Sequence, residues 1–455
     1  MRIRFAVKVA SALMTSAALF AIPARAQDAN YWSNAYGTRA QELGGVVIGS
    51  PGDISSVYYN PGSLALTQST ELLLAGSAYT LQRVSVEDGD GPGKNLVTSS
   101  LGTAPSLFSG EIPVFKHDRL AYSFLTRGSM NMELDSRTTA GVESIVPIAG
   151  PVFAAGEVLL KQDFSEYWYG LTWSHKLSPT LGFGVTPYLA VRSQQTRAAL
   201  LLEGRNAADQ TAILSQSREF DFTYYSLLAR FGLSGVRDSL TYGATLTTPT
   251  LGLFGGGATN YNNTLVDETG ALGGVMGANY TQGLDAKHRS PLGAGAGASY
   301  GFGGTRLHAA IDWNAEVSSY TVIESPEFTV HKPSGDSTVK VVITDRRDAV
   351  FNWGVGLEHR FGTTVSGFAS YHTDLSGRNQ GEAPSASITA WDLRDVAAGV
   401  TWHVFRSDFA LGATTAFGSQ PTASVANKPE GEPAPKDLQT HELLVTVSLG
   451  WKITF

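Results

Sequence analysis

The chain has 455 residues, with 50 glycines, no cysteine, 10% aromatic residues and 16% charged residues. Soluble domains carry about 25% charged residues, and no linker divides this chain, so the composition disfavours a string of soluble domains. The formal net charge of -7 disfavours a nucleic-acid partner, and the absence of cysteine excludes disulfides.

The N-terminus predicts a cleaved signal peptide over residues 1–26. A basic start is followed by an apolar run from Val9 to Ile22 and by the small-residue motif Ala24-Arg25-Ala26. The alternative, a transmembrane anchor, needs a longer apolar run. Cleavage before Gln27 removes positive charge and leaves an acidic, exported chain.

The remainder of the chain predicts a membrane protein built from strands. No later run approaches the roughly 18 apolar residues that a membrane helix needs. Only helices and closed barrels satisfy their backbone groups in lipid. If the mature chain spans a membrane, it does so as a closed β-barrel.

Residues 27–67 do not have a strand pattern. Ser50 or Asp53 could cap short helical turns, and Asn60-Pro61-Gly62 is a turn signal. We therefore expect a compact, partly helical segment, which we call the hatch, ahead of a barrel formed by residues 68–455.

Period-two alternation then predicts about fourteen antiparallel strands. In one of them Leu181, Phe183 and Val185 alternate with Gly182, Gly184 and Thr186, which suits lipid on one face and a lumen on the other. A soluble β-sandwich also alternates, but usually with more Lys and Glu on its polar face. The fourteen predicted segments are 69–83, 104–115, 119–130, 161–176, 180–196, 217–233, 239–250, 287–301, 304–319, 341–361, 363–374, 388–404, 407–418 and 441–455.

The connections alternate between tight turns and long segments, as in barrels with short periplasmic turns and long external loops. The chain ends in an amphipathic strand, Leu443 to Phe455, with an aromatic terminal residue. This strand predicts recognition by the barrel-assembly machinery and closure against the first strand. Aromatic residues near strand ends predict contacts with outer-membrane lipid.

Catalytic signals are weak. The G-x-S-x-G match at Gly297–Gly301 lies inside a glycine-rich strand, whereas a nucleophile elbow needs a strand, a turn and a helix. The histidines do not show metal-ligand spacing. We therefore expect no enzyme activity, metal or cofactor, and a hydrolase at the barrel rim remains an alternative.

Two predicted external loops are unexpectedly apolar. One contains Leu200, Leu201 and Leu202, and the other contains Leu253 and Phe254. Exposed apolar patches often mark binding surfaces. We expect a docking surface for a hydrophobic molecule, with loop packing or contact with the membrane edge as the alternative.

A fourteen-stranded barrel is too wide for strand side chains alone to fill. A hatch lodged inside it would block free diffusion and act as a gate. Pattern alone nominates six residues for an internal pocket, and Arg192 among them could pair with a carboxylate headgroup or with a lumen acid. The six are Tyr58, Tyr59, Leu64, Leu66, Tyr188 and Arg192.

The hatch sequence resembles one known family. Ala35 to Ala40, followed by Ser55 to Leu64 with its Asn-Pro-Gly, is similar to the hatch of the outer-membrane hydrophobic-compound transporters of the long-chain fatty-acid (FadL) type. That family carries Asn-Pro-Ala, so Asn60 and Pro61 match and Gly62 departs. The fourteen strands and Phe455 extend the resemblance over the mature chain.

The resemblance implies a hatch inside a fourteen-stranded barrel in the outer membrane of a Gram-negative bacterium. It also implies an external groove, an internal hydrophobic pocket and lateral release through a strand kink. Pro105, Gly110 and Pro113 make the segment 104–115 the expected interruption of the wall. The predicted function is passive, hatch-gated transport of hydrophobic molecules such as long-chain fatty acids. The alternative is a structural or adhesive surface barrel.

Overall fold

The computed structural model describes residues 30–32, 34–50, 52–67, 69–87, 94–112, 118–139, 142–143, 146–378, 386, 391–422 and 438–455. The predicted signal peptide lies outside the described residues. The hatch contains three short helices, α1 (Thr38–Glu42), α2 (Ser56–Tyr59) and α3 (Pro61–Leu64). Among the described residues, no helix is long and apolar enough to cross a membrane.

Twenty strands follow the hatch. They are β1 (Glu71–Val86), β2 (Leu96–Ile112), β3 (Asp118–Thr138), β4 (Pro151–Ser178), β5 (Leu181–Asn206), β6 (Thr211–Arg237), β7 (Leu240–Thr247), β8 (Leu251–Asp267), β9 (Val275–Asp285), β10 (Gly293–Phe302), β11 (Thr305–Asn314), β12 (Val317–Glu324), β13 (Phe328–Val330), β14 (Ser337–Val339), β15 (Val342–Arg347), β16 (Val350–Phe361), β17 (Val365–Asp374), β18 (Leu393–Val404), β19 (Ser407–Thr422) and β20 (Leu438–Thr454).

Fourteen of these strands form a closed antiparallel barrel. The ring runs through β1 to β7, then β10, β11 and β16 to β20, and it closes where β20 pairs with β1 from Thr454 opposite Glu71 to Thr440 opposite Val86. Each ring strand overlaps one of the fourteen predicted segments. The predicted fold class and the closure of the last strand against the first are confirmed.

The alternation places apolar side chains on the outside of the ring. Phe351, Trp353 and Val355 of β16 are 51%, 43% and 48% exposed, whereas Asn352 between them is buried toward the lumen. An exterior of this kind is stable only where lipid surrounds it. The same pattern, in sequence and in structure, therefore describes a membrane-spanning wall.

The expectation of long apolar loops is wrong for the local structure. Leu200, Leu201 and Leu202 lie in β5, and Leu253 and Phe254 lie in β8. Strands β4, β5 and β6 continue far beyond the roughly 9–11 residues that cross a membrane, and β8 and β9 extend the same sheet. In β5 these apolar residues alternate between the two faces of the sheet, whereas Leu253 and Phe254 of β8 are both exposed.

The inner face of this extension has its own core. Leu200 and Leu202 are buried there, together with Leu214 and Leu265 of β6 and β8. Strands β12 to β15 form two small two-stranded sheets near this region, and the pairs are β12 with β15 and β13 with β14. The part of the sheet that extends beyond the ring is thus a packed β-structure rather than a set of irregular loops.

The hatch packs inside the ring. Helix α3 contacts β4, β5 and β6, and helix α1 contacts β17 to β20. The largest buried cluster combines hatch side chains, such as Tyr36 and Leu43, with wall side chains, such as Leu73 and Leu125. The hatch is therefore held against opposite sides of the barrel.

Candidate ligand site and gate

Asn60 joins the hatch to the wall. Its side-chain oxygen accepts a hydrogen bond from the Gly62 N–H at 3.1 Å and so caps helix α3. Its side-chain nitrogen donates to the carbonyl oxygens of Ile48, at 3.1 Å, and Leu233, at 3.0 Å. Asn60 is completely buried, and every polar atom of its amide has a partner that fixes the hatch.

Gly62 is explained by a close approach of backbones. A Cβ atom at this position would lie 2.6 Å from the carbonyl oxygen of Gly232 and 2.7 Å from that of Gly182. Pro61 packs on the same strands, β5 and β6, where Gly184 and Gly232 leave room for its ring. The alanine of the family motif does not fit here, because the wall glycines bring the sheet too near.

An ion pair holds another part of the hatch. Arg39 Nη2 lies 2.7 Å from Glu358 Oε2 of β16, and Arg39 Nε lies 2.9 Å from the same oxygen. Arg39 also donates to the carbonyl oxygen of Ser50, and the Ser50 hydroxyl lies 3.3 Å from His308 Nδ1. The pair is largely buried, so removing one partner would leave an uncompensated charge.

A cluster of aromatic side chains packs between the hatch and the wall. The Tyr36 N–H donates to the Tyr59 hydroxyl at 2.8 Å, and the Tyr188 hydroxyl donates to the Val57 carbonyl at 2.7 Å. Burial raises the pKa of Tyr59, which therefore stays neutral and acts as a fixed hydrogen-bonding group. This packing fills the space between the hatch and the wall.

A cavity of about 500 Å³ lies in the lumen against the hatch. The hatch contributes Trp32, Gln41 and Tyr58 to its lining, and the wall contributes Phe164 and Trp168 among others. The volume is in the range of small-molecule sites. A ligand in this cavity would rest directly on the hatch.

The lining is more polar than the hydrophobic pocket that the resemblance implies. It includes Arg127, Arg192 and Arg230. Arg192 forms a 3.0 Å ion pair with Glu166, while the Arg230 guanidinium lies 4.5 Å from the centre of the Tyr58 ring. The lining also holds three acids, Glu166, Asp312 and Asp395, against five arginines. The cavity therefore offers aromatic surface together with an excess of arginines over acids, which suits an amphipathic molecule.

The wall is interrupted beside this cavity. Strand β2 pairs with β3 only from Ile112 opposite Leu120 to Leu107 opposite Leu125. Beyond these residues β2 continues against β1 alone, and β3 continues against β4 alone. Ser100 and Ser106 of β2 and residues 126–131 of β3 line the cavity at this gap. The part of β2 that is not paired with β3 is residues 96–106, so only residues 104–106 of the predicted interruption 104–115 fall in the gap. Gly110 is paired on both sides, and Pro113 lies outside the described residues.

The hatch covers part of the free edge of β3. Asn34 Nδ2 donates to the Arg127 carbonyl at 2.9 Å, and the Tyr36 hydroxyl donates to the Thr126 carbonyl at 3.1 Å. Arg127 in return donates to the Tyr31 carbonyl at 3.0 Å. Backbone groups within a membrane need partners, and these hatch residues supply them where β2 does not.

Only two of the six predicted pocket residues line the cavity. Tyr58 and Arg192 line the cavity. Tyr59, Leu64 and Tyr188 are buried in the packing between hatch and wall, and Leu66 is half-buried near Gly182. Their roles toward a ligand stay predictions, and in this closed state only Tyr58 and Arg192 are placed to touch one.

The structure also places the residues that were expected to form external docking loops. Leu200 and Leu202 are buried in the extended sheet, and Leu201 is half-buried. Leu253 and Phe254 are 47% and 64% exposed at the start of β8. A docking role stays a prediction for this exposed pair.

Sequence reasoning found Arg192 but missed Arg127, Arg230 and Asn34. Arg230 could have been found, since it alternates with apolar residues on β6 and so faces the lumen. Asn34 offered no signal, because its partner lies 93 residues away on another element. The G-x-S-x-G match lies within β10, which is paired on both sides. Among the described residues, no group of three potential ligands could hold a metal.

Comparison with known structures identifies the architecture. The toluene transporter TodX of Pseudomonas putida matches with a TM-score of 0.60 and 13% identity, over 93% of this chain and 98% of that chain. A FadL homologue of Pseudomonas aeruginosa matches with a TM-score of 0.60 and 13% identity, over 94% and 100%. The toluene transporter TbuX of Ralstonia pickettii gives 0.53 and 10%, over 92% and 98%.

The chain has the fold of the FadL-type transporters. No protein-family profile and no curated sequence matches it, so the similarity lies in the structure. Barrels of this fold occupy the outer membrane of Gram-negative bacteria, and the apolar exterior places this chain there as well.

Proposed function

We propose that this protein is a passive outer-membrane channel for hydrophobic molecules, gated by its hatch. One observation carries the proposal. The cavity rests on the hatch and borders the gap between β2 and β3, so a molecule inside it lies next to the lipid. A purely structural barrel would not need an interrupted wall, since unpaired strand edges are costly in lipid.

The proposed path needs no chemical step. A ligand loses water at the exposed apolar residues Leu253 and Phe254, moves down the lumen to the cavity and leaves sideways between β2 and β3. Burial of apolar surface favours each transfer by about 25 cal/mol per Å². The arginines of the lining favour a ligand with an acidic end, so we propose long-chain fatty acids as the ligands.

A lateral path is tested by filling the gap. The mature protein in liposomes should raise the uptake rate of a labelled long-chain fatty acid above that of protein-free liposomes. Ser129→Trp places a large side chain at the free edge of β3, next to the cavity, and should reduce this uptake at least tenfold. Ser193→Trp is the matched control, because Ser193 is exposed on a fully paired strand.

The outcomes separate the candidate functions. Uptake that is lost in Ser129→Trp and kept in Ser193→Trp supports lateral transport. Equal uptake with and without the protein contradicts transport and favours the structural or adhesive barrel. Hydrolysis of an ester or peptide by the protein would instead support an enzyme at the rim.

A further inference from the structure

Glu42, in helix α1 of the hatch, occupies an unusual position. Its side chain is 1% exposed and points into the wall where Gly399 of β18 and Gly412 of β19 face each other in register. A Cβ atom on either glycine would overlap Glu42 Oε2. The two glycines thus form a socket that fits this carboxyl group and would not form with any larger residue.

The socket offers no hydrogen-bonding partner to the carboxyl group. Neither Glu42 oxygen has a hydrogen bond among the described residues, since the N–H groups of the strands around it donate to carbonyl oxygens of the sheet. Thr38 of the same helix packs closely against a neighbouring glycine, Gly450 of β20. Helix α1 is therefore seated on the wall through glycine sites, with an unpartnered acid in the deepest one.

The charges around α1 do not compensate Glu42. No cation among the described residues lies within 4 Å of its carboxylate, and burial is the sole cause of its raised pKa. Besides Glu42 and five tyrosines (Tyr31, Tyr36, Tyr58, Tyr59 and Tyr371), the described titratable or charged groups on the hatch and on the four strands that pack against α1 are Arg39, Asp53, His372, Asp374, Arg394, Asp395, His403, Asp408, His441, Glu442 and Lys452.

We propose that Glu42 is the residue that latches the hatch, and that the latch holds only while its carboxyl group carries a proton. The neutral acid fits the glycine socket through packing, whereas an ionised carboxylate there would lack both water and a cation. Loss of the proton therefore drives α1 away from β18 and β19. This inference rests on the hatch being the gate proposed above.

The direction of the pH effect follows from proton linkage. Burial raises the pKa of Glu42 from 4.5 to about 8 in the closed hatch, whereas a released, hydrated carboxyl returns to its ordinary value. The closed state therefore holds the proton more tightly. The proton's contribution to the ratio of closed to open hatch is complete below about pH 4.5. This ratio falls about tenfold per pH unit above that, and the contribution is lost above about pH 8.

Amide hydrogen exchange of residues 37–48, in the full mature chain in liposomes, tests the latch. Exchange rates are divided by the intrinsic rate at each pH. Protection should fall by roughly 100-fold between pH 6 and pH 9 in the parent protein. Glu42→Gln keeps the shape of the neutral acid without a titrating group, and its protection should not change with pH.

A second pair of variants tests the socket itself. Gly412→Ala should remove the protection of residues 37–48 at both pH values, because a methyl group occupies the carboxyl site. Gly256→Ala is the control, since a Cβ there meets its nearest atom at 3.7 Å on a strand far from α1. A retained heat-dependent shift in electrophoretic mobility shows that each barrel is folded.

Three results would overturn the latch. They are pH-independent protection in the parent, an equal pH dependence in Glu42→Gln, and full protection in folded Gly412→Ala. Exchange needs no ligand, so the latch and the transport proposal fail separately. A pH-dependent hatch without fatty-acid uptake contradicts transport alone, and uptake with a pH-independent hatch contradicts the latch alone.

Discussion

At the scale of single residues, Asn60 makes several of the hydrogen bonds that hold the hatch in its closed position. One side chain caps α3, bridges to the Ile48 backbone within the hatch and bridges to Leu233 in the wall. All three partners are backbone groups, whose positions are fixed by the hatch and the sheet. Asn60 therefore links the local fold of the hatch to its attachment.

Asn60→Ala should weaken the closed hatch by about 2–3 kcal/mol, from the lost cap and the unpaired carbonyls. Hydrogen exchange of residues 56–66 at a fixed pH should become roughly 30- to 140-fold faster. Asn279→Ala, which changes a half-buried asparagine of β9, serves as the control. An unchanged rate in Asn60→Ala would remove Asn60 from this role.

Gly62→Ala should be harmful, although alanine is the residue of the family motif. The added methyl group would meet the carbonyl oxygens of Gly182 and Gly232, both of which are fixed backbone atoms. We expect displacement of α3, seen as lost protection of the same amides in a barrel that stays folded. A fully protected Gly62→Ala hatch would show that the strands β5 and β6 can retreat.

At the scale of elements, the hatch and the lateral opening form one unit. Tyr31, Asn34 and Tyr36 of the hatch occupy the side of β3 that β2 leaves free. If the hatch moves, the carbonyls of Thr126 and Arg127 lose their partners within the membrane. Movement of the gate and exposure of the opening are therefore energetically coupled.

Tyr36→Phe keeps the buried ring and deletes the hydroxyl that bonds to the Thr126 carbonyl. The closed state should lose about 1 kcal/mol, the usual contribution of one hydrogen bond, because the Thr126 carbonyl keeps a 3.5 Å contact with Asn34 Nδ2. The uptake rate of labelled fatty acid should rise, because opening becomes easier. Tyr242→Phe, on the exposed outer face of β7, should leave uptake as it was. Slower uptake in Tyr36→Phe would contradict the coupling.

Strand pairing was predictable because alternation is written locally. The alternation of Leu181 and Gly182 is enough to predict which of them faces lipid and which faces the lumen, without knowledge of any other element. The full length of β5 was not predictable, since the run Leu200-Leu201-Leu202 hides the alternation that the structure restores. The site was less accessible still, because Arg127, Arg230 and Tyr58 come from three elements that meet only when the ring closes.

At the scale of the whole molecule, the barrel and the hatch divide the work. The closed sheet gives stability without disulfides, and in the proposed function the hatch controls what passes. Deletion of residues 27–67 should leave a barrel that keeps its heat-dependent electrophoretic mobility and inserts in liposomes. The deleted barrel should admit small sugars that the full chain excludes, as a liposome swelling assay would show. Exclusion of sugars by both forms would mean that the wall alone closes the lumen.

The central claim is that a hydrophobic ligand reaches the cavity above the hatch. It is tested most directly by photocrosslinking the mature protein in liposomes with a diazirine-bearing fatty acid and mapping the labelled residues by mass spectrometry. We predict label on Tyr58, Met130, Phe164 and Trp168, which line the cavity, and its displacement by unlabelled fatty acid. Label confined to the lipid-facing and external surfaces would contradict the claim.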